Sequence, residues 1–462
     1  MNALSRRGGT DMTEGPILRH LVRFAVPLLL GNLFQQLYNM VDTWVVGNFV
    51  SNEAFSAVGS VTPAVNMLIG FFLGLSNGAG VVIARHYGAG RERQLRQAVH
   101  TALTLALGLG VVFTVLGVAM VPAVLRLMKT PASVWPDAES YLTIYFSGVL
   151  GLMLYNIGAA IWQAVGDSRY PFLCLAVCAV TNTGLDLLFV LRFGMGIRGV
   201  AYATVLAQFL SMALVLGRLR LTGCCVRLDP RALGLSREPL GAILRLGLPT
   251  ALQMAVTAFS NVFIQSYINA FGPDCMSGWT AYNKIDQLVL LPITSLALAT
   301  TTFVGQNLGK EQWDRARRGT RTAFLLAEGS TVLLAAAVCA AAPGLVAFFN
   351  GKPEVIRDGS LFLRALTPFY VFAVANHILP GALRGAGNSR APLVIFLTSY
   401  VAARQLYFYI VASFISNTML PVTMGYPFGW ITCAALSFGY YRWTGLGRGG
   451  GSPGKTETED QL

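Results

Sequence analysis

Charge is the first shortage in this chain: 12% of its 462 residues are Asp, Glu, Lys or Arg, about half the share of a soluble domain. With 54% hydrophobic residues and a mean hydropathy of +0.57, an ordinary water-facing surface cannot be assembled. The seven cysteines are odd in number and contain no CxxC pair, which leaves neither a disulfide framework nor a metal site. Cys174, Cys178, Cys339 and Cys433 lie in apolar runs, and Cys224-Cys225 lies in a basic loop. No HExxH helix, phosphate-binding glycine loop or paired nucleophile and base is present, so an enzyme has no chemistry to stand on. A cleavable leader is not expected, because the first apolar run is too long and carries Asp42.

What is abundant is apolar sequence. Twelve runs of roughly 20 residues or more recur from end to end, each long enough to cross a bilayer. Their approximate spans are 24–49, 54–84, 95–125, 138–165, 170–192 and 198–218, then 242–271, 276–305, 319–348, 360–384, 391–415 and 420–443. The expected fold is therefore an all-α integral membrane protein with twelve transmembrane helices. The net charge of +13 follows topology rather than a nucleic-acid partner. With an even number of crossings both termini share a side, and 25 of the 34 basic residues fall there against 7 opposite. The positive-inside rule then places both termini in the cytoplasm of a multi-pass plasma-membrane protein.

The chain also says nearly the same thing twice. Gln163-Ala-Val-Gly-Asp-Ser-Arg-Tyr-Pro171 is echoed by Arg384-Gly-Ala-Gly-Asn-Ser-Arg-Ala-Pro392 at an offset of 221. Tyr87-Gly88 pairs with Leu308-Gly309 at the same offset, while Pro27/Pro249 and Asn39/Asn261 stand 222 apart. A fixed offset across separate landmarks marks a duplication. The expected division is an N-terminal lobe over residues 1–218, a cytoplasmic linker over 219–241 and a C-terminal lobe over 242–443, with a disordered tail over 444–462. Residues 1–11 read as loose, and the Arg-rich linker as lying where anionic headgroups can meet it. Two lobes in an apolar chain are the layout of an alternating-access carrier, which one chain can complete as a monomer.

Ionisable residues inside spans are costly, so the few present are candidates. Asp42, Asp186 and Thr204 each stand six or seven residues from the outer end of their helix, which is roughly 10 Å of depth at 1.5 Å per residue. Asn182 lies one turn below Asp186, and Gln35 and Tyr38 share the Asp42 face. Such a set suits a proton held on a carboxyl or Na⁺ held by oxygens; interhelical hydrogen bonding is the alternative. Asn39, Asn261, Lys284, Asp286 and His377, with Gln35 and Tyr38, are candidates for lining a substrate cavity. Lys284 and Asp286 are two apart and face different sides. Arg404 has no acidic neighbour in its own half and reads as structural.

These residues resemble the multidrug and toxic compound extrusion (MATE) family of cation-coupled antiporters over roughly residues 14–443. The resemblance rests on Gln35-Gln-Leu-Tyr-Asn-Met-Val-Asp42-Thr-Trp-Val-Val-Gly47, Gly74-Leu-Ser-Asn-Gly-Ala-Gly80, Asn182-Thr-Gly-Leu-Asp186 and Gly199-Val-Ala-Tyr-Ala-Thr204, with the duplicated motifs above. It implies a V-shaped pair of pseudo-symmetric six-helix lobes exporting amphipathic organic cations against H⁺ or Na⁺, with no cofactor beyond that ion. It also implies that Asp42, Asn182, Asp186 and Thr204 form the N-lobe cation site, which Na⁺ would share with H⁺. A second carboxylate pair used by some members falls here at Ala255 and Ala373, which implies that coupling runs through the N-lobe. The alternative is a lipid-linked oligosaccharide flippase of the same two-lobe fold, which needs more cavity cations than Lys284 and Arg404. A channel is disfavoured by the absence of pore-ring repeats.

Overall fold

A computed structural model describes residues 10–50, 52–128, 130–269, 271–415 and 418–444; residues 1–9 of the segment expected to be loose, and 445–462 of the tail expected to be disordered, lie outside the described residues. The first half contains α1 (Ile17–Phe49), α2 (Asn52–Gly88), α3 (Glu92–Leu127), α4 (Trp135–Ser147), α5 (Val149–Ala164), α6 (Arg169–Leu187) and α7 (Gly196–Leu221). The second contains α8 (Arg237–Asn269), α9 (Pro273–Gly309), α10 (Trp313–Phe349), α11 (Pro353–Leu366) and α12 (Tyr370–Gly385). It continues with α13 (Arg390–Phe396), α14 (Arg404–Ile410), the short α15 (Met419–Thr423) and α16 (Gly425–Thr444).

Among the described residues, ten helical segments are long and apolar enough to cross a membrane, and the α4–α5 pair, bent by 45°, makes one more crossing. The 20-residue α16 completes twelve rods, matching the twelve runs of the sequence. Several helices exceed those runs at the basic end. At 37 residues, α2, α9 and α10 each reach roughly 55 Å, well beyond a hydrocarbon core of about 30 Å. Their polar first or last turns stay helical because tertiary packing continues past the apolar stretch.

The duplicated motif is a duplicated corner. Gly166 and Gly387 have φ of +86° and +85°, the left-handed conformation that ends a helix and that glycine adopts without strain. Their N–H groups donate to the carbonyls of Gln163 and Arg384, and the next N–H in each case reaches Trp162 or Leu383. Asp167 then caps the following helix by accepting from the N–H groups of Arg169 and Tyr170, while Asn388 accepts from Ala391. One turn chemistry, used twice, gives both lobes the same corner. A second equivalent pair departs: Gly90 has φ +67°, and at the 221-residue offset Glu311 holds φ +60° without being glycine. Replacing Glu311 by Gly should therefore raise stability by about 1 kcal/mol, read as a higher thermal unfolding midpoint.

The lobes exchange helix ends. Leu21, Phe24, Ala25 and Leu28 of α1 pack against Ile293, Leu296, Phe303, Val374 and Ile378 of the second half, while Ile243 and Leu246 of α8 join the core of the first. Toward the opposite end, the two apolar cores are separate: one holds Val45, Val61 and Tyr145, the other Ile264, Trp279 and Phe408. The molecule is thus closed at the end carrying both described termini.

A short strap reinforces that closure, and corrects the expectation that residues 1–11 are loose throughout. Thr10 N–H donates to Val165 O at 2.8 Å, and Met12, 1% exposed, donates to Gln306 Oε1 at 3.0 Å. Gln306 Nε2 donates in turn to Ala164 O at 2.8 Å, and Arg315 donates to the carbonyls of Met12 and Gly15. Residues 10–15 therefore tie the α5–α6 corner to α9 and α10 instead of belonging to the first lobe alone. Gln306→Ala leaves buried backbone groups unsatisfied and should cost about 1–3 kcal/mol in thermal unfolding.

Candidate functional site

Asp42 stands on α1 seven residues before its end at Phe49. Asp186 is fully buried at the penultimate position of α6, after which the chain widens into a π turn over Leu188–Arg192. Such turns re-aim side chains at functional positions, and periodicity did not reveal this one. The α1 and α6 helices pack together, and the two carboxyls lie within hydrogen-bonding reach of each other. Neither brings a hydrogen to that bond unless a proton is added. Asp42 Oδ1, both Asp186 oxygens and both polar atoms of Asn182 are buried without a partner among the described residues.

Thr204 occupies the adjoining α7, which packs on both α6 and α1. Its hydroxyl donates to Val200 O at 3.0 Å, which leaves the oxygen lone pairs available. Around the carboxyls stands a group of tyrosines that sequence reasoning mostly missed. Tyr38 lies beside Gln35 and Asp42; Tyr141 lies near Asp42, Asp186 and Tyr38; Tyr145, close to Gln208, stacks on Tyr141 at 6.2 Å. Tyr155 donates to Pro171 O at 3.3 Å and completes the set. The signal available was composition alone, since Tyr141, Tyr145 and Tyr155 come from the helices α4 and α5, which lack charge landmarks at this depth. Asn39 lies exposed on α1.

The second lobe gathers different chemistry. Asp286 Oδ1 accepts from Tyr370 at 2.5 Å and from Tyr282 at 3.4 Å. Tyr370 packs on Trp430 at 5.4 Å, and Tyr282 stacks on Trp279 at 4.8 Å. Lys284 points away and is exposed, as two-residue spacing requires. His377 is half-buried on α12, beside an Asn376 that bonds Tyr400 and Trp430 O instead of the imidazole. Arg404, 1% exposed, donates to Tyr400 O at 3.3 Å and to Ser260 Oγ, with Tyr400 and Tyr426 rings 5.0 and 5.2 Å from its guanidinium. The side chain of Asn261 lies outside the described residues.

Asn182 and Asp186 correspond, at the 221-residue offset, to Ala403 and Tyr407, and Asp42 corresponds at 222 to Ile264. The duplicated scaffold thus carries paired carboxyls in one lobe only. Comparison with known proteins follows the same duplication, because the family model MatE matches twice, over residues 27–188 and 249–410. The chain belongs to the MatE family. This MatE chain is 30% identical over 440 residues to the probable multidrug resistance protein YpnP of Bacillus subtilis (strain 168), covering 94% of this chain and 98% of the relative. It is 22% identical over 396 residues to the FAD transporter of Shewanella oneidensis, covering 84% and 87%. A solved outward-facing multidrug resistance MATE transporter of the MOP superfamily superposes with a TM-score of 0.89 at 25% identity, covering 94% of this chain and 97% of that one. A MOP superfamily transporter from Pyrococcus furiosus, described by the reversed polarity of its binding pocket, gives 0.90 at 25% identity, covering 95% and 99%. This MatE protein is a membrane transporter and not an enzyme.

Proposed function

We propose that this protein is a secondary active antiporter that exports amphipathic organic cations across the plasma membrane in exchange for H⁺ or Na⁺. The observation that carries the reading is the half-buried Asp42 facing the buried Asp186 and Asn182, with Asp42 Oδ1, both Asp186 oxygens and the Asn182 amide unpartnered among the described residues. Two carboxylates at that range repel in an apolar setting unless a proton or cation joins them. All the donors are hard oxygens, which suits either ion. An ion arriving from outside neutralises the pair, and an arriving organic cation competes with it for the same negative charge. The tyrosine faces beside them suit a flat, lipophilic cation. The similarity to relatives named multidrug resistance proteins supports the substrate class, and both lobes in one chain support a monomer. The basic end, with both termini, is cytoplasmic in this reading.

In the C-lobe, Asp286 with Tyr282 and Tyr370 offers a second anionic contact for the exported cation, separate from the coupling pair. Tyr370→Phe removes its shortest hydrogen bond and should change the apparent affinity for substrate severalfold while leaving gradient dependence intact. The concentration dependence of dye efflux reads this directly. The flippase alternative draws no support, because Lys284 is exposed and Arg404 is already engaged with Ser260 and Tyr400.

The deciding experiment is efflux of a fluorescent organic cation from proteoliposomes of controlled orientation, with a pH gradient or a Na⁺ gradient imposed separately. Efflux driven by one gradient identifies the ion. Absence of cation transport under both would overturn the proposal.

A further inference from the structure

The chain between α7 and α8 does more than join the lobes. Residues 222–236 fold back on the start of α3 and are pinned there. Asp229 N–H donates to the buried His100 Nε2 at 3.0 Å, Ser236 N–H to the buried Thr101 Oγ1 at 3.2 Å, and Leu228 N–H to Leu219 O at 2.9 Å. His100 is itself set by contact with Arg96 O at 2.8 Å. The fixed loop walls a groove of about 1470 Å³ at the basic end of the molecule.

Four arginines line it: Arg96 from α3, Arg220 from the end of α7, and Arg227 and Arg231 from the loop. All four are exposed, and none forms an ion pair among the described residues. The one carboxylate in the lining, Asp229, accepts from the Arg231 N–H at 3.0 Å and so serves its own turn. A preformed groove with four guanidiniums and one occupied carboxylate selects anions with several oxygens, above all phosphate esters. A second observation indicates where that phosphate comes from. Leu235 lines the groove and is 57% exposed, and Leu221 and Leu233, each between two lining residues along the chain, are 86% and 39% exposed. Leucine beside arginine at a helix end is costly in water and favourable at a bilayer interface, where the stem enters the acyl layer and the cation meets the headgroup.

We propose that this groove is a binding site for the headgroup of an anionic phospholipid of the membrane leaflet at the basic end. Because the groove spans α3, the end of α7 and the loop leading into α8, a bound lipid would bear on the connection between lobes. The site is independent of the coupling pair and of the direction of transport.

Native mass spectrometry of the purified full chain in detergent tests it, with dioleoylphosphatidylglycerol, dioleoylphosphatidylcholine and inorganic phosphate as separate probes. The wild type should retain phosphatidylglycerol at least tenfold more tightly than phosphatidylcholine. The variant carrying Arg96→Gln, Arg220→Gln, Arg227→Gln and Arg231→Gln should lose that preference; its exposed sites leave the far-ultraviolet circular dichroism unchanged, which confirms folding. Leu221→Gln with Leu235→Gln should weaken lipid retention severalfold while keeping the arginines. Equal retention by the arginine variant overturns the proposal. So does displacement of the lipid by millimolar inorganic phosphate, which would make the site one for a soluble anion. Lipid binding seen only after removal of residues 445–462 also overturns it, since the acidic Glu457, Glu459 and Asp460 would then be the occupants.

Discussion

Asp42→Asn and Asp186→Asn should each reduce gradient-driven efflux at least tenfold, and the double variant should be little worse than either single one. Asparagine keeps the size of aspartate and its capacity to hydrogen-bond, but it neither takes up the coupling proton nor supplies charge to a cation. If the carboxyls served only to bind one helix to the other, the amide would do so nearly as well, and efflux would survive. Transport therefore separates the two roles where stability does not. The double variant adds a sharper criterion. Two groups that act through one shared ion are strongly non-additive, because removing either empties the site; two independent contributions would multiply. Loss in both singles with no further loss in the double supports a shared site, whereas multiplying losses would show that each carboxyl acts separately. Efflux retained in Asp42→Asn would remove the N-lobe site altogether.

Much of this architecture was legible because membrane proteins obey few rules strictly. Twelve apolar runs matched twelve rods, and the charge asymmetry matched the end at which the lobes close. Depth placed Asp42 and Asp186 at one level, since helices of known rise set residues at computable heights, but that they meet depended on α1 packing on α6, which the structure supplies. What escaped depended on partners distant in sequence. Tyr282 lies one turn before Asp286 and could have been paired with it, but Tyr370 comes from another crossing 84 residues away. The π turn after Asp186 and those over Leu397–Ala403 and Val411–Ile415 leave no mark in apolar periodicity, because an extra residue per turn merely rotates an already apolar helix. The first two residues of the strap, Thr10 and Asp11, were read from composition as loose with the segment before them. The strap is ordered by main-chain bonds to Gln306, Asn307 and Arg315, whose side chains advertise nothing about where they point.

Gly88→Val should shift the protein away from the closed arrangement at the basic end by roughly five- to 150-fold. Added side-chain atoms at Gly88 would run into the backbone of Gln306, and at Gly309 into the backbone of Arg85. Further along the same seam, Gly74 and Gly78 of α2 lie against Ala251 and Gly247 of α8. Small residues on both sides let these backbones approach closely, as they do wherever helices associate without a hydrophobic drive. Overpacking costs about 1–3 kcal/mol, and here backbone, which cannot swing aside, is the obstacle. The cost falls only on the state in which the seam is shut, and a difference of that size sets the expected shift in population. The measurement is the distance distribution between spin labels at the exposed positions Arg93 of α3 and Arg318 of α10, which should lengthen, with Gly88→Ala intermediate. An unchanged distribution with normal efflux would mean that the seam tolerates the side chain and does not govern closure. The same Gln306 that faces Gly88 through its backbone also holds Met12 and Ala164 through its side chain. Opening this end must therefore part the glycine seam and release the strap together, so a substitution that wedges the first should also free the second.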